Sequence, residues 1–187
     1  MSSIVEKIFA GPGIFVWGVD EEGVEELDSM TIDVTQGGID FTTETTYFEP
    51  TVDQTGTAPV KSVVTGTVGK VVFDTPDTDF DKVVKYNPNA TKVVDGTDPL
   101  KSKYQVTGLA GKELPRKRAV IKPVGVTDPD RFIYLEACGI KFDAKGTFKI
   151  DDNQKFSING VAYPSLDADP VGLLYTWGDI KVTATTP

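Results

Sequence analysis

Apolar and polar residues alternate along most of the chain, which is the period of half-buried strands. Thr31-Ile-Asp-Val-Thr35 places Ile32 and Val34 on one face. Ile39 to Phe48 alternates again and is rich in threonine, a good strand former. Gln36-Gly37-Gly38 between them has turn chemistry, so the two segments are expected to form a hairpin. Glu49 to Pro59 contains two prolines and Gly56 and reads as a long loop. Val63 to Phe73 reads as a strand bent at a glycine.

Helical spacing occurs at Phe80, Val83 and Val84, after Pro76-Asp77. It predicts one short helix over about residues 77–86, with Asp77 as N-cap and Asn87-Pro88 as terminator. Residues 87–103, with Pro88, Asp95-Gly96 and Pro99, read as loop. Strands are expected at Tyr104 to Leu109, at Ala119 to Pro123, and at Phe132 to Asp143 as one long strand. Ala144-Lys145-Gly146 is expected to turn into Thr147 to Ile150, and Asp151 to Asn153 into Lys155 to Asn159. Leu173 to Trp177 and Ile180 to Thr185 complete the set. Many short strands with regular turn signals predict a mainly β fold: an antiparallel β-sandwich with one short flanking helix and long loops. The expected organisation is a single domain, 1–187, with extended termini.

Composition narrows the function classes. The chain has no histidine and one cysteine, Cys138. That excludes imidazole-based nucleophile systems, histidine-ligated zinc and internal disulfides. Cys138 lies in the apolar run Phe132 to Phe142 and reads as a small core side chain rather than a reactive thiol. No apolar run approaches the ~18 residues that span a bilayer. Glu6 and Lys7 interrupt the apolar N-terminal stretch, unlike a secretory leader, so a chain made and kept in the cytoplasm is expected.

The net charge of −9 is unevenly placed. Residues 1–60 hold twelve acids, from Glu6 to Asp53, against the single base Lys7. Residues 61–187 hold sixteen acids and eighteen bases. Such a chain should not wrap DNA by neutralising phosphates. It suits a surface that repels nucleic acid, or an acidic face that meets a basic face on a neighbouring copy.

The motifs that could carry chemistry are incomplete. Asp77-x-Asp79-x-Asp81 opens like a calcium loop, but Lys82 and Pro88 stand where glycine and glutamate are required. Those acids suit a helix N-terminus instead. Gly66-Thr-Val-Gly-Lys70 departs from a phosphate loop at Val64 and Val71, and reads as a strand with glycines at a bend. Asp167 and Asp169, like Asp128 and Asp130, have the composition of acid pairs but read as turn residues that bond local backbone. Asn89-Ala-Thr91 fits a glycosylation sequon, which matters only in a secreted chain. Arg116-Lys117-Arg118 reads as a solvated turn or as a basic docking patch for the acidic third of another copy. No enzyme activity and no cofactor or metal are expected.

Several segments, read together, resemble the tail tube proteins of long-tailed bacteriophages. Ala10-Gly-Pro-Gly-Ile-Phe-Val-Trp-Gly18 is similar to that family's opening stretch, Val52 to Gly66 to its loop leading into a long strand, and Asp151 to Pro170 to its closing hairpin. The resemblance implies a β-sandwich flanked by a helix, six copies in a ring, and inner sheets joined into a shared barrel. Rings would stack into a hollow virion tail tube, of non-contractile type, through which DNA leaves unbound. Implied partners are further copies of the chain, a tail-tip initiator, a length-setting tape measure and a terminator.

On this reading Asp33, Asp40 and Glu44 are expected to face the lumen, opposite Ile32, Val34, Ile39 and Phe41 by strand alternation. The stretch Glu49 to Lys61, with Asp53 and Gln54, is expected to contact the next ring. Two other classes remain open: another phage structural protein of the head, connector or terminator, and a β-sandwich carbohydrate-binding module in which Trp17 and Trp177 converge on one face.

Overall fold

The structure, a computed structural model, describes residues 12–51, 56–77, 79–145 and 154–182. The strands among the described residues are β1 (Gly13–Val19), β2 (Glu25–Ile32), β3 (Gln36–Phe48), β4 (Val63–Thr75), β5 (Ala90–Val94), β6 (Ser102–Val106), β7 (Arg116–Pro123), β8 (Ile133–Lys145), β9 (Lys155–Tyr163) and β10 (Tyr175–Trp177). The helix α1 spans Phe80–Tyr86. The main sheet runs β2-β1-β7-β8-β9-β4-β3, with β10 on β8, and every pairing in it is antiparallel. The mainly β, sandwich-like fold with a short helix is therefore as the sequence pattern predicts.

The sheet doubles over on itself. Phe15 of β1 and Phe73 of β4 stand four places apart in the strand order, yet their ring centroids are 5.2 Å apart. Phe41 of β3 meets Tyr175 of β10 edge-on at 5.1 Å. One layer is thus β2-β1-β7 with the start of β8, and the other is the end of β8 with β9-β4-β3. The core between them holds Phe15, Trp17, Met30, Ile32, Leu135 and Ile158, all at most 2% exposed, and Val83 of α1 packs into it. A smaller cluster of Val16, Val19, Val120 and Tyr134 lies on the back of the first layer under Ile180. This explains why β1 is apolar on both faces: each face of the strand is covered.

The expected hairpin of residues 31–48 does not form. β2 pairs with β1, with Ile32 opposite Phe15, while β3 pairs with β4, with Asp40 opposite Val72. Gly37 and Gly38 do take positive φ, 85° and 92°, but the chain uses Asp33 to Thr35 to cross between layers. Three extended residues span about 10 Å, the spacing of packed sheets. Thr75 Oγ1 donates to Val34 O at 2.8 Å and fixes the crossing. Both segments bury their apolar face in the same core, which puts them on opposite walls.

Other boundaries also differ. Asp79, not Asp77, caps α1, accepting from Asp81 N at 2.9 Å. Asp77 instead accepts from Asp79 N and pairs with Lys82. Burial works against the Asp77 carboxylate, but the Lys82 bond and the Asp79 amide together outweigh it and hold the carboxyl below its usual range. Residues 90–94 and 102–106, expected largely as loop, form the separate ribbon β5-β6. It docks on α1 through the stacked Phe80 and Tyr104 rings at 5.7 Å and Lys92–Asp81 at 2.6 Å. β8 is one long strand as expected, but it runs through Ala144 and Lys145. Ile180 to Val182 is not a strand, and Gly146 to Asn153 and Thr183 to Thr185 lie outside the described residues.

Candidate assembly surfaces

The β3-β4 hairpin extends well beyond the sandwich. β4 pairs with β9 only over Gly69–Thr75, whereas its pairing with β3 continues to Phe48 opposite Val63. Among the described residues, 44–48 and 63–68 therefore form a two-stranded ribbon whose only ladder is with each other. Threonines brace it: Thr45 and Thr67 hydroxyls are 3.2 Å apart, and Thr65 Oγ1 donates to Thr46 Oγ1 at 3.0 Å. Its far end continues past the strands, with Val60 N to Pro50 O at 3.0 Å and Ser62 Oγ to Glu49 at 2.8 Å. None of the described core covers it. Tyr47, Phe48, Val60, Val63, Val64 and Val68 are 41–59% exposed. A two-stranded ribbon in water is marginal by itself, and its free edges invite pairing with another chain.

Of the residues expected in the lumen, Asp40 and Glu44 share one solvent-facing side of β3. Asp33 is exposed but lies in the crossing rather than in a strand. The outer face of this layer is not purely acidic. Asp40, Glu44, Asp74 and Asp143 share it with Lys70, Lys141 and Lys155 by register. Lys70 pairs with Glu44 at 3.3 Å and Lys155 with Asp74 at 3.2 Å. Of the loop residues, Glu49 and Lys61 are exposed, and Asp53 and Gln54 lie outside the described residues.

The basic triplet is not a turn. It opens β7, and its charges are met within the chain. Arg116 pairs with Glu113 at 2.7 Å and lies over the Tyr163 ring. Lys117 reaches Asp28 at 2.6 Å and Glu26 at 2.9 Å on β2. Burial works against the Lys117 charge, but these two hydrogen bonds outweigh it and raise its pKa. The same Lys117 bond holds the Asp28 carboxyl below its ordinary range. Lys122 adds a third link from β7 to β2, at 3.2 Å from Glu25. Arg118 pairs with Glu136, whose side chain is only 4% exposed, and donates to Asp20 O at 3.1 Å. Part of the acidic first third thus finds its counter-charge on β7 of the same chain. The sequence showed that the two charge blocks exist, but not that strand order sets them on either side of β1, within side-chain reach.

The tryptophans do not converge. Trp17 is 2% exposed and donates its indole N–H to Cys138 O at 2.7 Å, whereas Trp177 is 67% exposed on β10. Cys138 is fully buried, and burial pushes its thiol up to about 12, which fits the core reading. No group of three or more Asp, Glu or Cys side chains among the described residues is arranged to hold a metal ion.

A cleft of about 510 Å³ lies on the back of the first layer, between the β1-β2 turn, the loop after β9 and the segment after β10. Glu21, Asp167, Asp169 and Asp179 line it above the Arg118–Glu136 pair. No protein-family model matches the chain, and no curated protein matches it in sequence.

Proposed function

We propose that this chain is the repeating structural subunit of a phage tail tube and that it acts by self-assembly rather than catalysis. The observation that carries the reading is the projecting β3-β4 ribbon, with apolar side chains exposed and backbone edges unpaired among the described residues. Such a ribbon gains order and burial when a second copy covers it. Six copies per ring, joined edge to edge, would place β3 and β4 in a shared wall. The stretch Glu49 to Lys61 at the ribbon end would then reach the next ring.

The outer side of β3 and β4 would line the channel. Asp40 and Glu44 would face DNA there beside Lys70, Lys141 and Lys155, of which Lys70 and Lys155 are tied to acids and so hold phosphates less readily. The terminator, tape measure and tail-tip partners follow from this reading, as does a place in the virion tail. The resemblance of Ala10 to Gly18, Val52 to Gly66 and Asp151 to Pro170 to the tail tube family supports it.

Negative-stain electron microscopy of the purified chain, concentrated over a range of salt, tests the reading. Hollow tubes or stacked rings are expected, and a variant shortened from Glu49 to Lys61 should stop at rings or monomers. Normal tubes from the shortened variant would remove the loop from the contact. A chain that stays monomeric at every concentration and salt would leave only a tube started by its tail-tip initiator, and would favour the carbohydrate-binding reading, which a glycan screen then tests.

A further inference from the structure

The β3-β4 ribbon carries apolar pairs on both of its faces, and we infer that its tip leaves the channel wall and is clasped between two other copies of the chain. Tyr47 stands opposite Val64 in the ladder, and Phe48 stands opposite Val63. Consecutive residues of a strand point to opposite faces, so the two pairs lie on opposite sides of the ribbon. All four side chains are open to solvent: Tyr47 at 58%, Val64 at 59%, Phe48 at 59% and Val63 at 43%. One flat surface laid on the ribbon would cover one pair and leave the other wet. Burying both takes a surface on each side.

The two faces continue different parts of the body. Phe41 and Tyr47 share a side of β3 by alternation, and Phe41 packs against the sandwich core. The Tyr47–Val64 face is therefore the core face carried past the core. Asp40, Glu44 and Phe48 share the other side, the one assigned to the channel. Charge on the hairpin stops at Glu44 and Lys70, since residues 45–48 and 63–68 hold no Asp, Glu, Lys or Arg. The register shifts between Thr46 opposite Gly66 and Tyr47 opposite Val64, which leaves Thr65 as an extra residue. Such a bulge bends and twists its strand. This one separates the Glu44–Lys70 pair from the apolar tip, where a bend turns the tip out of the wall.

Charge also argues for the occupant. An uncharged apolar tip has nothing with which to hold nucleic acid, and covering it desolvates no ion. The chain carries −9 overall, so two copies repel each other least where the approaching surface is uncharged. The cleft on the back of the first layer is lined by Glu21, Asp167, Asp169 and Asp179 and does not suit an apolar tip. Each cover is therefore assigned to a separate copy. The inference rests on the self-assembly reading, which sets one copy against the ribbon; it adds another on the opposite face and takes residues 45–48 out of the lumen.

The test places a benzophenone amino acid, which keeps an aromatic ring, at Tyr47, at Phe48 or at both in nitrogen-15-labelled full chain. The labelled chain is assembled with excess unlabelled parent and irradiated. Mixed-isotope peptides are expected from each position, and the doubly substituted chain should appear as a covalent trimer with two parents. Tyr47→Ser and Phe48→Ser, made singly, should each raise the concentration for half-maximal self-association about tenfold, while thermal melting confirms that both fold. Tubes or rings in which only one position gives mixed peptides, or in which covalent products stop at dimers, would overturn the clasp and leave the tube reading standing. Trimers from assemblies that never form rings or tubes would support the clasp and overturn the tube. Crosslinks confined to single-isotope peptides would show the chain covering its own ribbon and would overturn the clasp.

Discussion

The sandwich body and the β3-β4 ribbon are built from the same strand chemistry, and they differ in what their side chains meet. In the body, Phe15, Trp17, Leu135 and Ile158 are buried from two layers, each side chain contributing about 1.5–3 kcal/mol. In the ribbon, Tyr47, Phe48 and Val64 are comparably apolar and remain 58–59% exposed. The β3-β4 ladder runs from the body into the ribbon, with a register shift between Thr46 and Tyr47, but only the body adds the β4-β9 ladder. Among the described residues the ribbon therefore has pairing on one side only, as well as less burial. The ribbon places apolar residues where they add little to the stability of the chain by itself, which is why we propose a second copy against it.

Substitutions can break this comparison at three levels. The largest effect is expected at the Arg118–Glu136 pair in the body. Arg118→Met leaves Glu136 buried without a counter-charge and should cost about 3–5 kcal/mol in urea unfolding. Arg118→Met with Glu136→Leu should recover most of that loss. A single substitution as mild as a surface change would show that water reaches Glu136.

The clamp between β2 and β7 is intermediate. Lys117→Met should cost at most about 1 kcal/mol, because Asp28 and Glu26 are largely exposed. Its pH window follows from the shifts. The raised Lys117 pKa contributes stability below its ordinary value of 10.5, lost as pH rises through the folded value. The lowered Asp28 pKa contributes above its ordinary value of 3.8, lost as pH falls through the folded value. Amide exchange in β2, corrected for the intrinsic pH dependence of exchange, should therefore be slowest between those limits and should lose that dependence in Lys117→Met.

The smallest effect on stability is expected in the ribbon. Tyr47→Ser/Phe48→Ser should leave the unfolding free energy within about 0.5 kcal/mol of the parent while abolishing rings or tubes in micrographs. A large loss of stability would place these side chains in the subunit core and remove the contrast.

Much of the fold was legible from period-two patterning. β4, β8 and β9 follow from runs such as Val63 to Phe73 and Phe132 to Asp143, whose apolar faces had only one core to enter. The β5-β6 ribbon was not legible, because Ala90 to Val94 is short and flanked by Pro88 and Gly96, and its strand character comes from pairing with Ser102 to Val106. The candidate surfaces were legible as charge blocks and not as places. The basic triplet at 116–118 looked available in sequence, yet in space Arg118 and Lys117 are occupied by Glu136, Asp28 and Glu26.

Sequence by itself determined that the chain forms antiparallel strands with a short helix, that Cys138 is a core side chain, and that acids crowd the first third. These are local properties: strand period, apolar context and composition need no partner to be read. Tertiary structure decided that Asp33 to Thr35 crosses the core instead of closing a hairpin, and that β2 acids meet β7 bases. It also decided that half of β3-β4 stands beyond the sandwich. Each depends on which strands are neighbours, and a strand carries the same alternation whichever neighbour it takes.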